Sequence, residues 1–339
     1  MIKEAITKII ERVDLEEEEI ERAIGEMIEG AATPSQMAAF LVGLRMKGEA
    51  IPEITGAARV MRESCEKITP VNPNTVDLCG TGGDMRGTFN VSTVASLIAA
   101  GAGATVAKHG NHSVSSRVGS ADVLEELGVN ISLSPQMAER CLNEIGIAFL
   151  FAPLYHKAMK KVAKTREEIG IRTIFNLLGP MINPACVKRQ VLGVYSEVLM
   201  EPIAKSLRNL GSERCMVIHG SDGMDEITVT GKTLVTELKD GMVKNYQIDP
   251  VDFGMPRAEI EELRGGTAEE NAEIALSILR GEEEGAKMDI ALLNAGAAIL
   301  VSDMAPDMES AIEAARGAVE SKKAVEKLNQ LIAFTRSNS

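Results

Sequence analysis

Gly80-Thr81-Gly82-Gly83-Asp84 follows the apolar run Thr75-Val76-Asp77-Leu78-Cys79 and precedes Gly87-Thr88-Phe89-Asn90-Val91-Ser92-Thr93, which opens an apolar stretch ending at Gly101. The first run reads as a strand and Val91 to Gly101 as a helix. Strand, glycine loop and helix start form the repeating unit of a parallel sheet covered by helices. Glycines let the backbone approach a ligand and aim N–H groups at it, while Asn90, Ser92 and Thr93 add short donors at a helix N-terminus. That is the chemistry of a phosphate cradle, although a tight turn without a ligand uses the same residues. One helix end favours an anion by only ~0.3–2 kcal/mol, so several donors must act together. The loop is not a dinucleotide fingerprint, because the third glycine is missing at the required spacing. Gly231-Lys232-Thr233 imitates the end of a nucleotide-binding loop, but Glu226 stands where its first glycine belongs.

The same alternation extends downstream. Ala104 to Ala107, Ile147 to Phe151, Gln190 to Tyr195 and Arg214 to His219 read as strands, and Ala121 to Leu127 as a helix. From Thr267 to Ser337 the pattern is nearly all helical, with Gly296 marking a close packing point. Upstream, residues 1 to 66 are helical throughout. Asp14 is expected to cap a helix whose apolar face is Ile20, Ala23, Ile24, Met27 and Ile28, stopped at Gly30. Thr33, Pro34 and Gln36 open the next, which runs to Lys47 and Gly48; a third begins near Pro52. The proline- and asparagine-rich segment from Pro70 to Asn74 is a linker. The expectation is an α/β protein: a small N-terminal helical domain over residues 1–68, with a contribution from around 165–190, and a large domain over 74–339 with a mainly parallel sheet.

Composition narrows the function. Of 339 residues 45% are hydrophobic and 25% charged, the balance of a globular chain; only 3% are aromatic, so Ile, Leu, Val, Ala and 17 Met must fill the interior. The formal charge of −13 opposes nucleic acid or an anionic membrane as the main partner, and any anionic ligand must be met by local donors. Cys65, Cys79, Cys141, Cys186 and Cys215 show no paired spacing and read as buried thiols of a reducing compartment. With no signal-peptide pattern and no apolar run of spanning length, the expected location is the cytoplasm.

Two further polar loops follow strands. Lys108-His109-Gly110-Asn111-His112 leads into Ser115, Ser116 and Ser120, a point charge and hydroxyls suited to phosphate oxygens, with Ser120 also placed to cap the next helix. Taken singly, each serine is an ordinary turn residue and His109 and His112 ordinary loop residues; their density after two successive strands shifts the weight toward a site at the carboxyl edge of a sheet. His219-Gly220-Ser221-Asp222-Gly223-Met224-Asp225-Glu226 carries adjacent carboxylates, hard oxygen ligands that suit Mg²⁺ bound to phosphates, though an acidic turn is common in a chain with 49 acids. Arg166 and Arg172 either meet a carboxylate or pair with local acids. No nucleophile–base arrangement is present, so positioning and charge stabilisation are the expected means of catalysis.

Taken in order, Gly80-Thr81-Gly82-Gly83-Asp84, Asn90-Val91-Ser92-Thr93, Lys108-His109-Gly110-Asn111, Gly119-Ser120-Ala121-Asp122-Val123-Leu124, Arg172-Thr173-Ile174-Phe175-Asn176 with Gly179-Pro180, and Asp222-Gly223-Met224-Asp225-Glu226 resemble the motif set of the anthranilate phosphoribosyltransferases, over essentially the whole chain. The resemblance implies a fold similar to the pyrimidine nucleoside phosphorylases, a homodimer, and transfer of the phosphoribosyl group of phosphoribosyl pyrophosphate to the amine of anthranilate in tryptophan biosynthesis. It further implies contacts to phosphoribosyl pyrophosphate from Gly80, Gly83, Asp84, Thr88, Asn90, Val91, Ser92, Thr93, Lys108, Gly110, Asn111, Ser115, Ser116 and Ser120. Anthranilate would meet Gly80, Asn111 and Arg166, and Ser92, Asp225 and Glu226 would serve Mg²⁺. The family commonly has an arginine where this chain has His112. A pyrimidine nucleoside phosphorylase and a nucleic-acid-binding relative of the same fold are the rival readings; the arginine-bearing stretch around Arg166 fits the first poorly and the net charge opposes the second.

Overall fold

The computed structural model describes residues 1–112 and 118–338. Four helices come first: α1 (Ile2–Ile10), α2 (Glu17–Glu29), α3 (Pro34–Lys47) and α4 (Ile51–Glu63). α2 starts later than Asp14 suggests. Its cap is Glu16, whose N–H bonds the Glu19 carboxylate at 3.0 Å, while Asp14 is drawn away by Lys47 at 2.5 Å. Thr33 does cap α3, accepting from the Gln36 N–H, and Gly30 ends α2 in the left-handed conformation that glycine adopts without strain.

The chain then alternates: β1 (Val76–Gly80), α5 (Val91–Gly101), β2 (Val106–Gly110), α6 (Ser120–Glu126), α7 (Pro135–Ile145), β3 (Ile147–Phe151), α8 (Ala152–Tyr155), α9 (Lys160–Ile169), α10 (Ile174–Leu178), β4 (Arg189–Gly193), α11 (Met200–Asn209) and β5 (Arg214–Gly220). A hairpin, β6 (Thr233–Lys239) and β7 (Met242–Ile248), precedes α12 (Ala268–Leu279), α13 (Ala286–Val301), α14 (Met308–Glu320) and α15 (Lys323–Ser337). The seven strands lie in the order β3-β2-β1-β4-β5-β6-β7. The first five are parallel and the hairpin is antiparallel. Ser120 is the first residue of α6 rather than its cap; Gly119 caps, its N–H held by Asp122 at 2.6 Å.

Side chains alternate across a strand, so β4 and β5 serve two cores. Val191, Met216 and Ile218 join the core built on α5 and α13, whereas Leu192, Cys215 and Val217 join the one built by α1 to α4 with α10 and α11. Within the first core, α14 packs so closely on Gly296 of α13 that a Cβ there would lie 2.9 Å from the Ile312 side chain. All five cysteines are free; Cys79 and Cys186 are half-buried rather than buried. No helix among the described residues is long and apolar enough to cross a membrane.

Candidate active site

The strand order reverses between β1 and β4: successive strands proceed to β2 and β3 on one side and to β5 on the other. At such a switch point the loops leaving the carboxyl ends diverge and open a crevice. Here it is a cavity of about 910 Å³, lined by the loops after β1, β2 and β5 and by the α8–α10 segment.

Gly80 ends β1 and Gly193 ends β4, paired in register, and the loop after β5 drops onto both. A Cβ on Gly80 would stand 2.2 Å from the Asp225 carboxylate and one on Gly193 only 1.6 Å from the Asp225 carbonyl oxygen. Glycine is required at both because the acid pair takes up the space of a side chain. Asp225 accepts from the Gly82 N–H at 2.7 Å, and Glu226 accepts from the Ser92 N–H at 3.2 Å, in the first turn of α5. Loss of water pushes both carboxyls well above their usual range; Asp84 adds repulsion at Asp225, and Asp225 adds it at Glu226. Two adjacent, poorly solvated carboxyls with Asp84 nearby are groups whose ionisation a cation would favour, and their hard oxygens suit Mg²⁺.

Below them lies Lys108, only 4% exposed, bonded to the Leu78 carbonyl at 2.7 Å and to Ser92 Oγ at 3.3 Å. It supports the α5 terminus from beneath instead of reaching out from the loop. Burial lowers its pKa, partly offset by Asp77, which is fully buried and accepts from the His109 N–H at 3.1 Å and from Asn183 Nδ2 at 2.8 Å. Asn90 precedes α5 without capping it by its side chain; Nδ2 donates to the Val118 carbonyl at 3.2 Å and Oδ1 accepts from Asn271 at 2.9 Å, tying the first polar loop to the second.

Gly83, Asp84, Thr88, Val91, Thr93, Gly110, Asn111 and Ser120 line the same cavity. Thr93 Oγ1 is buried there without a partner among the described residues. Ser115 and Ser116 lie outside the described residues. His112 is exposed and bonded to Asp122 at 2.6 Å, its ring edge against Phe151.

The far wall comes from α8 to α10. Arg166, on α9, stacks over Phe175 at 5.3 Å; among the described residues no carboxylate or hydrogen-bond acceptor meets it, and burial lowers its pKa. Among the described residues Arg172 has no acidic partner either: it donates to the Gly83 carbonyl and lies over Tyr195. Among the described residues neither arginine pairs with a local acid.

Two residues with no sequence signal as a pair also line this wall. His109 and His156 are both buried, their rings edge-on at 5.2 Å, and among the described residues His109 Nε2 has no hydrogen-bond partner. Burial, and for His109 the neighbouring ring, pushes their pKa values down to about 3 and about 4, so both are neutral near pH 7. His109 is the strand-end residue read from sequence as an ordinary loop histidine. His156 lies 47 positions away, at the end of the short α8, where no pattern marks it.

Residues 3–65 match the helical bundle domain of a glycosyl transferase family, and residues 72–325 match its a/b domain. Anthranilate phosphoribosyltransferase of Alkaliphilus metalliredigens is 52% identical over 332 residues, 98% of each chain. The crystal structure of anthranilate phosphoribosyltransferase from Thermus thermophilus superposes with a TM-score of 0.93 at 41% identity, covering 98% of this chain and 99% of that one. The enzyme of the same name from Saccharomyces cerevisiae, in complex with PRPP and Mg, gives 0.90 at 27% identity, covering 99% and 98%.

Proposed function

The chain belongs to the anthranilate phosphoribosyltransferase family, whose reaction moves the phosphoribosyl group of phosphoribosyl pyrophosphate onto the amine of anthranilate in tryptophan biosynthesis, and we propose how its cavity performs that transfer. One observation carries the assignment: donors for a polyanion, an acid pair suited to a cation, and an arginine that no acid meets among the described residues all face one cavity.

The glycine loop from Gly80 to Asp84, Thr88, Asn90 to Thr93 at the α5 terminus, and Lys108, Gly110, Asn111 and Ser120 hold phosphoribosyl pyrophosphate, joined by Ser115 and Ser116. Asp225, Glu226 and Ser92 hold Mg²⁺, which supplies charge neutralisation at the pyrophosphate that leaves. Gly80, Asn111 and Arg166 receive anthranilate, the guanidinium facing its carboxylate; an arginine already stacked on Phe175 presents its donors at little ordering cost. The neutral His109–His156 pair and Phe175 form the apolar and weakly polar wall for the aromatic ring.

The reaction then follows from positioning. Lys108 fixes Ser92 and the α5 terminus, so donors are in place before charge builds on the leaving oxygens. The amine of anthranilate attacks the anomeric carbon in line as the bond to pyrophosphate breaks, with oxocarbenium character at the ribose. The aniline nitrogen attacks with its own lone pair, and the anilinium formed is acidic enough to give its proton to water or to the released pyrophosphate, so the cavity needs no strong base, and His109 and His156 are assigned to ring contact.

We place the division of the chain at residues 68–74, supported by the two matched ranges, and assign a cytoplasmic homodimer, as the family resemblance implies. The decisive experiment mixes the protein with anthranilate and phosphoribosyl pyrophosphate, with and without Mg²⁺, and follows anthranilate fluorescence with pyrophosphate release. Matched loss and release, stopped by chelator, are expected. Unchanged fluorescence in every Mg²⁺ condition would remove the assignment.

A further inference from the structure

The glycine loop is gripped at three successive residues by three different parts of the chain. Thr81 donates its N–H to the Gly193 carbonyl at 2.9 Å and accepts at Oγ1 from the Tyr195 N–H at 3.2 Å. Gly82 is held by Asp225 at 2.7 Å. The third grip is Arg172, whose guanidinium donates to the Gly83 carbonyl while its Cζ lies over the Tyr195 ring, 4.1 Å from the centroid. Tyr195 therefore fixes Thr81 with its amide and, with its ring, the cation that fixes Gly83.

The place of Arg172 in the chain gives this grip a second end. It lies two residues beyond Gly170, which closes α9 in the left-handed conformation, and three before Phe175. α9 carries Arg166, and Arg166 stacks on Phe175. One short segment thus joins the loop assigned to phosphoribosyl pyrophosphate to both residues that present the assigned carboxylate receptor. Among the described residues no acid meets Arg172, so its hold depends on Gly83 and Tyr195 alone. A planar guanidinium donates from its edge while stacking by its face in one fixed geometry; an ammonium on a flexible stem has no such fork and holds the two contacts far less rigidly.

We propose that Arg172, stacked on Tyr195, is a positioning residue that couples the two substrate subsites. A polyanion on the glycine loop fixes Gly83, Gly83 fixes Arg172, and the segment from Arg166 to Phe175 is thereby held in its receiving arrangement for the aromatic carboxylate. The proposal rests on the subsite assignment above, and coupling of this kind is a ratio of affinities that acts equally in both directions.

The test uses full-length protein with Mg²⁺ and 2-hydroxybenzoate, an aromatic carboxylate lacking the attacking amine. Its affinity is measured by calorimetry with and without saturating phosphoribosyl pyrophosphate, beside turnover of anthranilate. In the wild type, phosphoribosyl pyrophosphate should tighten 2-hydroxybenzoate by about tenfold, within the usual range of site coupling. Arg172→Ala should bring that factor close to one while each ligand alone binds nearly as before, and Arg172→Lys should not restore it. Tyr195→Leu, which keeps the Thr81 amide bond, should behave like Arg172→Ala, and Tyr195→Phe like the wild type; this pair keeps the test alive if Arg172→Ala fails to fold. Active wild type with a factor of one, or Arg172→Ala or Arg172→Lys with the wild-type factor, overturns the proposal and leaves the function standing. Wild type that neither turns over anthranilate nor binds the polyanion overturns the function and the proposal together.

Discussion

Asp225 and Glu226 are each poorly solvated and each has another acid beside it, so both carboxyls are held well above their usual range. Replacing them by Asn and Gln should lower kcat by ~100-fold or more, the size of several kcal/mol of lost charge stabilisation. The same double variant should melt higher than the wild type without metal and show no Mg²⁺-dependent rise in melting temperature; a wild-type rise in the variant would move the metal elsewhere. Arg166→Ala removes one charged hydrogen-bonding group, worth ~1.5–3 kcal/mol. It should raise KM for anthranilate by ~10- to 100-fold with KM for phosphoribosyl pyrophosphate nearly unchanged, and steady-state kinetics decides it. For the buried histidines the sign follows from linkage. Their folded pKa values, about 3 and about 4, lie below the 6.5 of the unfolded chain, so only the unfolded state gains protons as pH falls below 6.5. Stability is lost through that window at ~1.4 kcal/mol per pH unit for each group. His156→Gln should make the fall in melting temperature between pH 6.5 and 5 shallower; an unchanged slope would show that other groups dominate.

At the scale of elements, the acid-bearing loop is seated by the missing side chain at the end of β4. Gly193→Ala would drive a methyl into the Asp225 backbone, so the loop must lift while the strand, paired on both sides, stays. The expected outcome is loss of Mg²⁺-dependent stabilisation with an unchanged far-ultraviolet dichroism spectrum. Gly296→Ala tests a contact without chemistry: the added methyl crowds Ile312 where α13 meets α14 and should cost ~1–3 kcal/mol of stability, leaving both KM values in place. If instead KM moved with stability, α13 would reach the cavity mechanically.

Across the whole molecule, the helices α1 to α4 do not close a core by themselves. Their cluster takes in Leu192, Val194, Cys215, Val217 and Leu238 from the sheet region and Val162, Ile174 and Phe175 from the segment that bears Arg166. Arg62 of α4 adds a bond to the Met181 carbonyl at 2.7 Å. A shared core makes the two parts unfold together, so calorimetry should show one cooperative transition; a separate early transition of helical content would contradict it.

Local chemistry was legible in the sequence wherever a few consecutive residues contain it. Glycines after an apolar strand, the Thr33-Pro34-Gln36 start and the 3.6-residue period of α2 each state their element without outside help. The hairpin went unread: Asp240 and Gly241 take positive φ at its turn, but β7 is mostly exposed and has no apolar alternation to announce a strand. What only the tertiary structure decided is who meets whom: strand order, His156 beside His109, Lys108 beneath the α5 terminus, and Arg166 left without an acid. The bond from the Gly82 amide to the Asp225 carboxylate spans 143 residues. No local pattern encodes such a pairing, because it is set by the order in which strands enter the sheet, and that order is settled by burying both faces of β4 and β5 at once.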